Sequence, residues 1–170
     1  ILKRLKKGML YSFDQDEEAR NYSENVLKNI GNNFEIIPSN FVNLKEELNK
    51  RKVKLVDGIM FDLGVSSPQL DDASRGFSFH EDAKLDMRMD RNNKLSAYEV
   101  VNNYSYEDLY KIIRDYGEEK YANKIANAIC KRRSIKPINT TLELSEIISD
   151  SVPFKYKRLS HPARRTFQAI

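Results

Sequence analysis

The regular alternation of apolar runs and amphipathic stretches in its first third constrains the fold of this chain more than any other feature. Gly8-Met9-Leu10-Tyr11-Ser12-Phe13 is a short apolar run that stops at an acidic patch, Asp14-Gln15-Asp16-Glu17-Glu18. Carboxylates are favoured in the first turn of a helix by its macrodipole. Ala19, Tyr22, Val26, Leu27 and Ile30 then keep helical spacing as far as Gly31, a residue suited to end a helix. Phe34-Glu35-Ile36-Ile37 reads as a second strand, and Asn43-Leu44-Lys45-Glu46 as a capping box that opens a short helix to about Arg51. A third strand is predicted at Gly58-Ile59-Met60-Phe61-Asp62. Strand and helix alternating at this spacing imply βαβ units and a parallel sheet, an α/β fold.

The alternation then stops. Residues 64–93 show little periodicity, but Phe77, Phe79, Leu85, Met87 and Met89 give them apolar anchors, so we expect an ordered functional loop. The rest reads as helical. Ser96-Ala97-Tyr98-Glu99 and Thr140-Thr141-Leu142-Glu143 are capping boxes. Ser105 opens a helix with Leu109, Ile112, Ile113 and Tyr116 on one face, closed by Gly117. Tyr121, Ile125 and Ile129 form the core stripe of the next helix. The expected organisation is an α/β domain over residues 1–93, including the loop 64–93, a helical insertion over 94–160, and a return segment over 161–170.

Composition narrows the function. A single cysteine, Cys130, excludes an internal disulfide framework and a Cys-based zinc site and suits a reducing cytoplasm. No apolar stretch approaches the roughly 18 residues a membrane span needs. Of the 29 basic and 25 acidic residues, 13 and 6 fall in residues 111–170. That is a net of +7, against −3 for residues 1–110, and it points the second half towards a polyanion. Two clusters carry this charge. Lys120, Lys124 and Lys131 share one helical face with Asn127, and Lys155, Lys157, Arg158, Arg164 and Arg165 have no acid among them. Both can neutralise phosphates with little sequence preference. Phe77 and Phe79 read as core plugs more than as base-stacking surfaces. His80 and His161 lack metal-ligand spacing, and His161, before Pro162, reads as a brace for its turn.

Ligands of doubly wound sheets bind outside the carboxyl ends of the strands. Asp14 and Asp62 stand at two such ends, and an acid there can accept hydrogen bonds from a ribose diol. No glycine fingerprint for a dinucleotide or P-loop occurs. The segment Asp57-Gly58-Ile59-Met60-Phe61-Asp62-Leu63-Gly64-Val65-Ser66-Ser67-Pro68-Gln69-Leu70-Asp71-Asp72 is more specific. It is joined by Arg75-Gly76-Phe77-Ser78-Phe79, Leu85-Asp86-Met87-Arg88-Met89-Asp90, Tyr116-Gly117-Glu118-Glu119-Lys120-Tyr121-Ala122 and His161-Pro162-Ala163-Arg164-Arg165-Thr166-Phe167-Gln168-Ala169. Together these blocks closely resemble the small-subunit ribosomal RNA cytosine-N4 methyltransferase family.

The resemblance implies a partial class I, Rossmann-like methyltransferase sheet with an inserted all-helical subdomain. It implies S-adenosylmethionine as cofactor and 16S rRNA of the small ribosomal subunit as partner, with a homodimer as one allowed assembly. By motif position Asp14 is the ribose-binding acid, Phe41 flanks the adenine, and Asp62 and Gln69 are further cofactor residues. The family's glycine-rich opening and its later strands are not in this sequence, so a middle piece of a longer enzyme is expected.

Cytosine N4 is a weak nucleophile, and an acceptor on its N–H assists attack and proton loss. Asp62, or a carbonyl or serine in Leu63-Gly64-Val65-Ser66-Ser67, can serve. Methylation at C5 would need a cysteine nucleophile, and Cys130 reads instead as a small, partly buried helix residue. Three other readings stay open: an amino-methyltransferase for another nucleic acid, a non-catalytic ribosome-binding module, and a nicotinamide dehydrogenase. The Asp/Asn-Pro-Pro-aromatic signature of amino-methylases is absent, which disfavours the DNA version of the first.

Overall fold

A computed structural model describes residues 1–158 and 160–170 and divides them into two units. The first comprises Ile1–Leu63 with Met89–Asn92, the second Gly64–Arg88 with Asn93–Ile170.

In the first unit β1 (Leu10–Phe13) is followed by α1 (Glu17–Lys28), β2 (Phe34–Ile37) and α2 (Leu44–Lys50). The strands pair in parallel, Leu10 opposite Phe34 and Phe13 opposite Ile37. The ladder is prolonged at its carboxyl end, where Asp14 N–H donates to Ile37 O at 3.2 Å. α1 starts where its carboxylates predict: Asp16 is the N-cap, and its Oδ1 accepts from Glu18 N–H at 3.0 Å. Ile37, Leu48 and Leu2 are buried, but no residue of α1 is, and Tyr22 and Val26 on its apolar stripe are 73% and 40% exposed. A two-stranded sheet offers too little surface to cover a three-turn helix.

Two expectations for this unit are corrected. Asn43 does not cap α2. A 3-10 turn, Phe41–Asn43, leads straight into the helix and leaves Asn43 at φ −91°, ψ 9°, outside the extended conformation of a capping residue. Its side chain donates to Ser39 Oγ instead. The third strand does not form either. Among the described residues the sheet has two strands, and Gly58–Asp62 pairs with neither. Ile59, Met60, Phe61 and Leu63 are each more than half exposed. An apolar run becomes a strand only beside an edge that takes its backbone hydrogen bonds.

The second unit is helical: α3 (Ser67–Asp71), α4 (Ala97–Asn103), α5 (Tyr106–Asp115), α6 (Ala122–Arg133), α7 (Thr141–Ser151), α8 (Phe154–Lys157) and α9 (Arg164–Ala169). Leu109 and Ile113 of α5, Ile125 and Ile129 of α6, and Leu144 and Ile148 of α7 have no exposed surface. Each such side chain contributes about 1.5–3 kcal/mol. Ser96, Ser105 and Thr140 accept the N–H of Glu99, Asp108 and Glu143, but of the two predicted capping boxes only Thr140–Glu143 closes, because the Glu99 side chain accepts from Asn103 Nδ2 instead of the Ser96 backbone. Tyr116 departs from its predicted place on the core face and is 75% exposed.

Residues 64–88 are ordered against these helices. Gly76 takes φ 73°, and a Cβ there would lie 2.5 Å from Lys84 O. Leu85 N–H donates to Asn139 O at 2.9 Å, and Thr141 donates through N–H to Ala83 O and through Oγ1 to Glu81 O. Phe77 is buried, and Phe79 meets Phe167 edge-on at 5.5 Å. The expected domain 1–93 is therefore divided, with only Met89–Asn92 of the long loop grouped with the strands. Residues 161–170 also belong to the helical unit, where Ala163 and Phe167 join the core. Among the described residues no helix is long and apolar enough to cross a membrane.

Candidate functional site

Parallel pairing brings the carboxyl ends of β1 and β2 to one edge of the first unit. Asp14 follows β1 directly. Its Oδ1 accepts Asp16 N–H at 2.8 Å, and no second protein donor reaches its carboxylate among the described residues. Arg20 Nη1 donates to the Asp14 carbonyl at 3.2 Å and steadies the turn. After β2, Asn40 opens the 3-10 turn by accepting Val42 N–H at 2.9 Å, and its Nδ2 donates to Gln15 Oε1 at 3.0 Å. That bond ties the two post-strand loops together. Gln15 Nε2 in turn lies 3.4 Å from Met89 Sδ. The result is a polar cleft of about 390 Å³, lined by Gln15, Arg20, Ser39, Asn40, Asp90 and Asn92 among others.

Phe41 stands beside this edge, half exposed, with its ring 5.6 Å from Phe61 and nearly perpendicular to it. The contact carries the segment bearing Asp62 past Phe41, and Asp62 itself is exposed. A nucleoside needs an acceptor for its diol and an apolar face for its base. The unsatisfied carboxylate oxygen of Asp14 and the open ring of Phe41 fit those needs. Gln69 belongs to the helical unit, is buried, and closes a capping box in which its Oε1 accepts Ser66 N–H at 2.9 Å.

In the helical unit the two basic clusters meet at one place. Lys120 Nζ lies 5.2 Å from the ring centre of Tyr121 and 4.8 Å from that of Tyr156, and Lys124 Nζ lies 5.8 Å from Tyr121. Tyr156, between Lys155 and Lys157, donates its hydroxyl to Glu119 Oε2 at 2.6 Å. Burial, and then the Glu119 carboxylate, push the Tyr156 hydroxyl up to about 12, so it stays a donor at neutral pH. Arg165 donates to Glu118 O, and Lys157 lies 3.8 Å from Asp150. Arg158 and Arg164 are exposed. Lys131 is at the far end of α6, in a groove of about 470 Å³ that also presents Glu143, Glu146 and Asp150. His161 braces its turn by accepting Ala163 N–H at Nδ1, and Cys130 packs half-buried against the core.

The whole chain, residues 1–170, matches one family, the MraW methylase family. The chain belongs to that family. It is 56% identical over 171 residues to the Ribosomal RNA small subunit methyltransferase H of Exiguobacterium sibiricum. It is 55% identical over 172 residues to the protein of that name from Ureaplasma parvum serovar 3, and 52% over 173 residues to that of Oenococcus oeni. All of this chain is covered each time, but only 55%, 56% and 55% of the relatives, so the chain spans about half their length.

Within this MraW-family chain, Asp14, Phe41 and Asp62 all fall in the first unit, whereas Gln69 and the eight basic residues fall in the second. Gln15, Asn40, Asp90 and Asn92 line the cleft without belonging to any periodic pattern. Only their place just past a strand, or in the acidic motif around Met89, hinted at them. Glu119 lies inside the Tyr116-Gly117-Glu118-Glu119-Lys120-Tyr121-Ala122 motif, but its burial at 1% exposure has no local sequence signal.

Proposed function

We propose that this chain is part of an S-adenosylmethionine-dependent methyltransferase that modifies the N4 amino group of a cytosine in the decoding region of 16S rRNA, in the cytoplasm. The observation that carries the reading is Asp14, an acid at the carboxyl edge of a parallel strand pair with one oxygen left for a ligand. Its carboxylate accepts the ribose hydroxyls, and the exposed face of Phe41 packs on the adenine. Gln69 is included among the cofactor residues on the motif alone. When bound, S-adenosylmethionine supplies a methyl group on a positively charged sulfur, open to attack by a neutral amine placed in line with it.

The chain's own task is to hold the amine and remove its proton. Asp62, exposed in its segment, accepts a hydrogen bond from the N4–H and so favours the pyramidal nitrogen that can attack. It takes the proton after the nitrogen–carbon bond forms, leaving a neutral methylated amine. Lys120, Lys124, Lys131, Lys155, Lys157, Arg158, Arg164 and Arg165 neutralise phosphates of the RNA. The test uses a protein of the relatives' full length that carries this chain, with methyl-labelled cofactor and small-subunit rRNA digested to nucleosides. Label in N4-methylcytidine is expected; label in 5-methylcytidine, or none, contradicts the proposal.

A further inference from the structure

Glu119 is 1% exposed in the turn between α5 and α6, and among the described residues no lysine, arginine or histidine pairs with it. Burying a carboxylate without a cation is costly unless hydrogen bonds replace its water. Two do: Tyr121 N–H donates to Oε1 at 2.8 Å and Tyr156 Oη to Oε2 at 2.6 Å. The second bond joins parts of the chain 37 residues apart. It matters because α8 buries none of its own residues. Among the described residues, this is the one side-chain hydrogen bond α8 makes beyond itself.

Cations crowd the outside of this contact. Lys120 and Lys124 lie on the tyrosine rings, Lys155 and Lys157 flank Tyr156, and Arg165 bonds to Glu118 O. Tyr121 and Tyr156 meet edge-on at 4.9 Å beneath Lys120. Like charges gathered this closely repel one another. Lys157 is answered by Asp150 at 3.8 Å and Ala163 is anchored in the core, so the task left to the Glu119–Tyr156 bond is to keep the Tyr156 ring, with Lys155 beside it, next to Lys120.

We infer that Glu119 is the positioning residue of a single phosphate-binding surface, holding Tyr156 so that the cations of 153–165 stand beside Lys120 and Lys124 to receive an RNA backbone. The inference rests on the RNA-contact reading given above. It deepens that reading by making two separate clusters one surface, with a buried acid as its organiser.

The test measures anisotropy of a fluorescein-labelled RNA stem-loop against salt, for this chain and for Glu119→Gln and Tyr156→Phe. Glu119→Gln makes the chain more positive by one charge, so charge alone would tighten binding and steepen the salt dependence. Positioning demands the reverse. Both variants should bind about tenfold more weakly, the scale of one hydrogen bond to a charged group. The salt slope should fall by about 2–3 units as cations of the segment leave the phosphates. Simple loss of folded protein would weaken apparent binding by the same factor at every salt concentration and keep the slope. If Glu119→Gln fails to fold, Tyr156→Phe decides, because it keeps the ring and every charge. Wild-type affinity and slope in Tyr156→Phe, or tighter binding by Glu119→Gln, overturn the inference. Absence of binding by the unmodified chain overturns the RNA reading itself.

Discussion

Gly117 shows how one residue can be fixed by a neighbour far along the chain. Its own backbone is ordinary; the left-handed residue of that turn is Glu118, at φ 49°. A Cβ at Gly117 would lie 2.6 Å from Arg165 O and 2.7 Å from Ile113 O, both backbone atoms. Gly117→Ala should therefore destabilise the helical unit by about 1–3 kcal/mol, the cost of overpacking a rigid site. Denaturant unfolding followed by circular dichroism checks this, and an unchanged midpoint would mean that α9 yields easily. The sequence suggests a glycine ending α5, and the Ile113 contact is local, but the Arg165 contact comes from α9 and cannot be read locally. Asp14 differs. Its place after an apolar run already marks it as a ligand candidate, since strand ends are local features.

At the scale of elements, α7 carries its own pH dependence. The Asn139 N–H, and after it the Thr140 N–H and Lys136, hold the Glu143 carboxyl below its usual value of 4.5 despite partial burial. A carboxylate with a lowered folded value binds fewer protons than in the unfolded chain. Its contribution is present above about pH 4.5 and is lost as pH falls through the lowered value. Glu143→Gln should cost about 1 kcal/mol at neutral pH, typical of a helix cap. The gap between the two melting curves should close in acid; a gap constant with pH would contradict the cap's charge dependence. The caps at Thr140, a full capping box with Glu143, and at Ser96, where only the serine half forms, are legible because donor and acceptor sit three residues apart. The strand predicted at Gly58–Asp62 fails for the opposite reason: a strand depends on a partner edge, and composition fixes only the apolar run.

At the scale of the molecule, the strand unit carries Asp14, Phe41 and Asp62, and the helical unit carries the basic residues. The likeness to the MraW methylase family was legible in long motif blocks, such as the one from Asp57 to Asp72. The division of that very block between two units, at Leu63 and Gly64, was not. Neither was the meeting of Lys120 with Tyr156, which needs three helices to turn back on one another. The central claim is that Asp14 grips the ribose of the cofactor. The most direct measurement is a calorimetric titration of S-adenosylmethionine into a protein of the relatives' full length carrying this chain, with and without Asp14→Ala. A loss of about 1–3 kcal/mol in binding free energy is predicted, the worth of hydrogen bonds to a charged group. Equal affinity for the two proteins would contradict it.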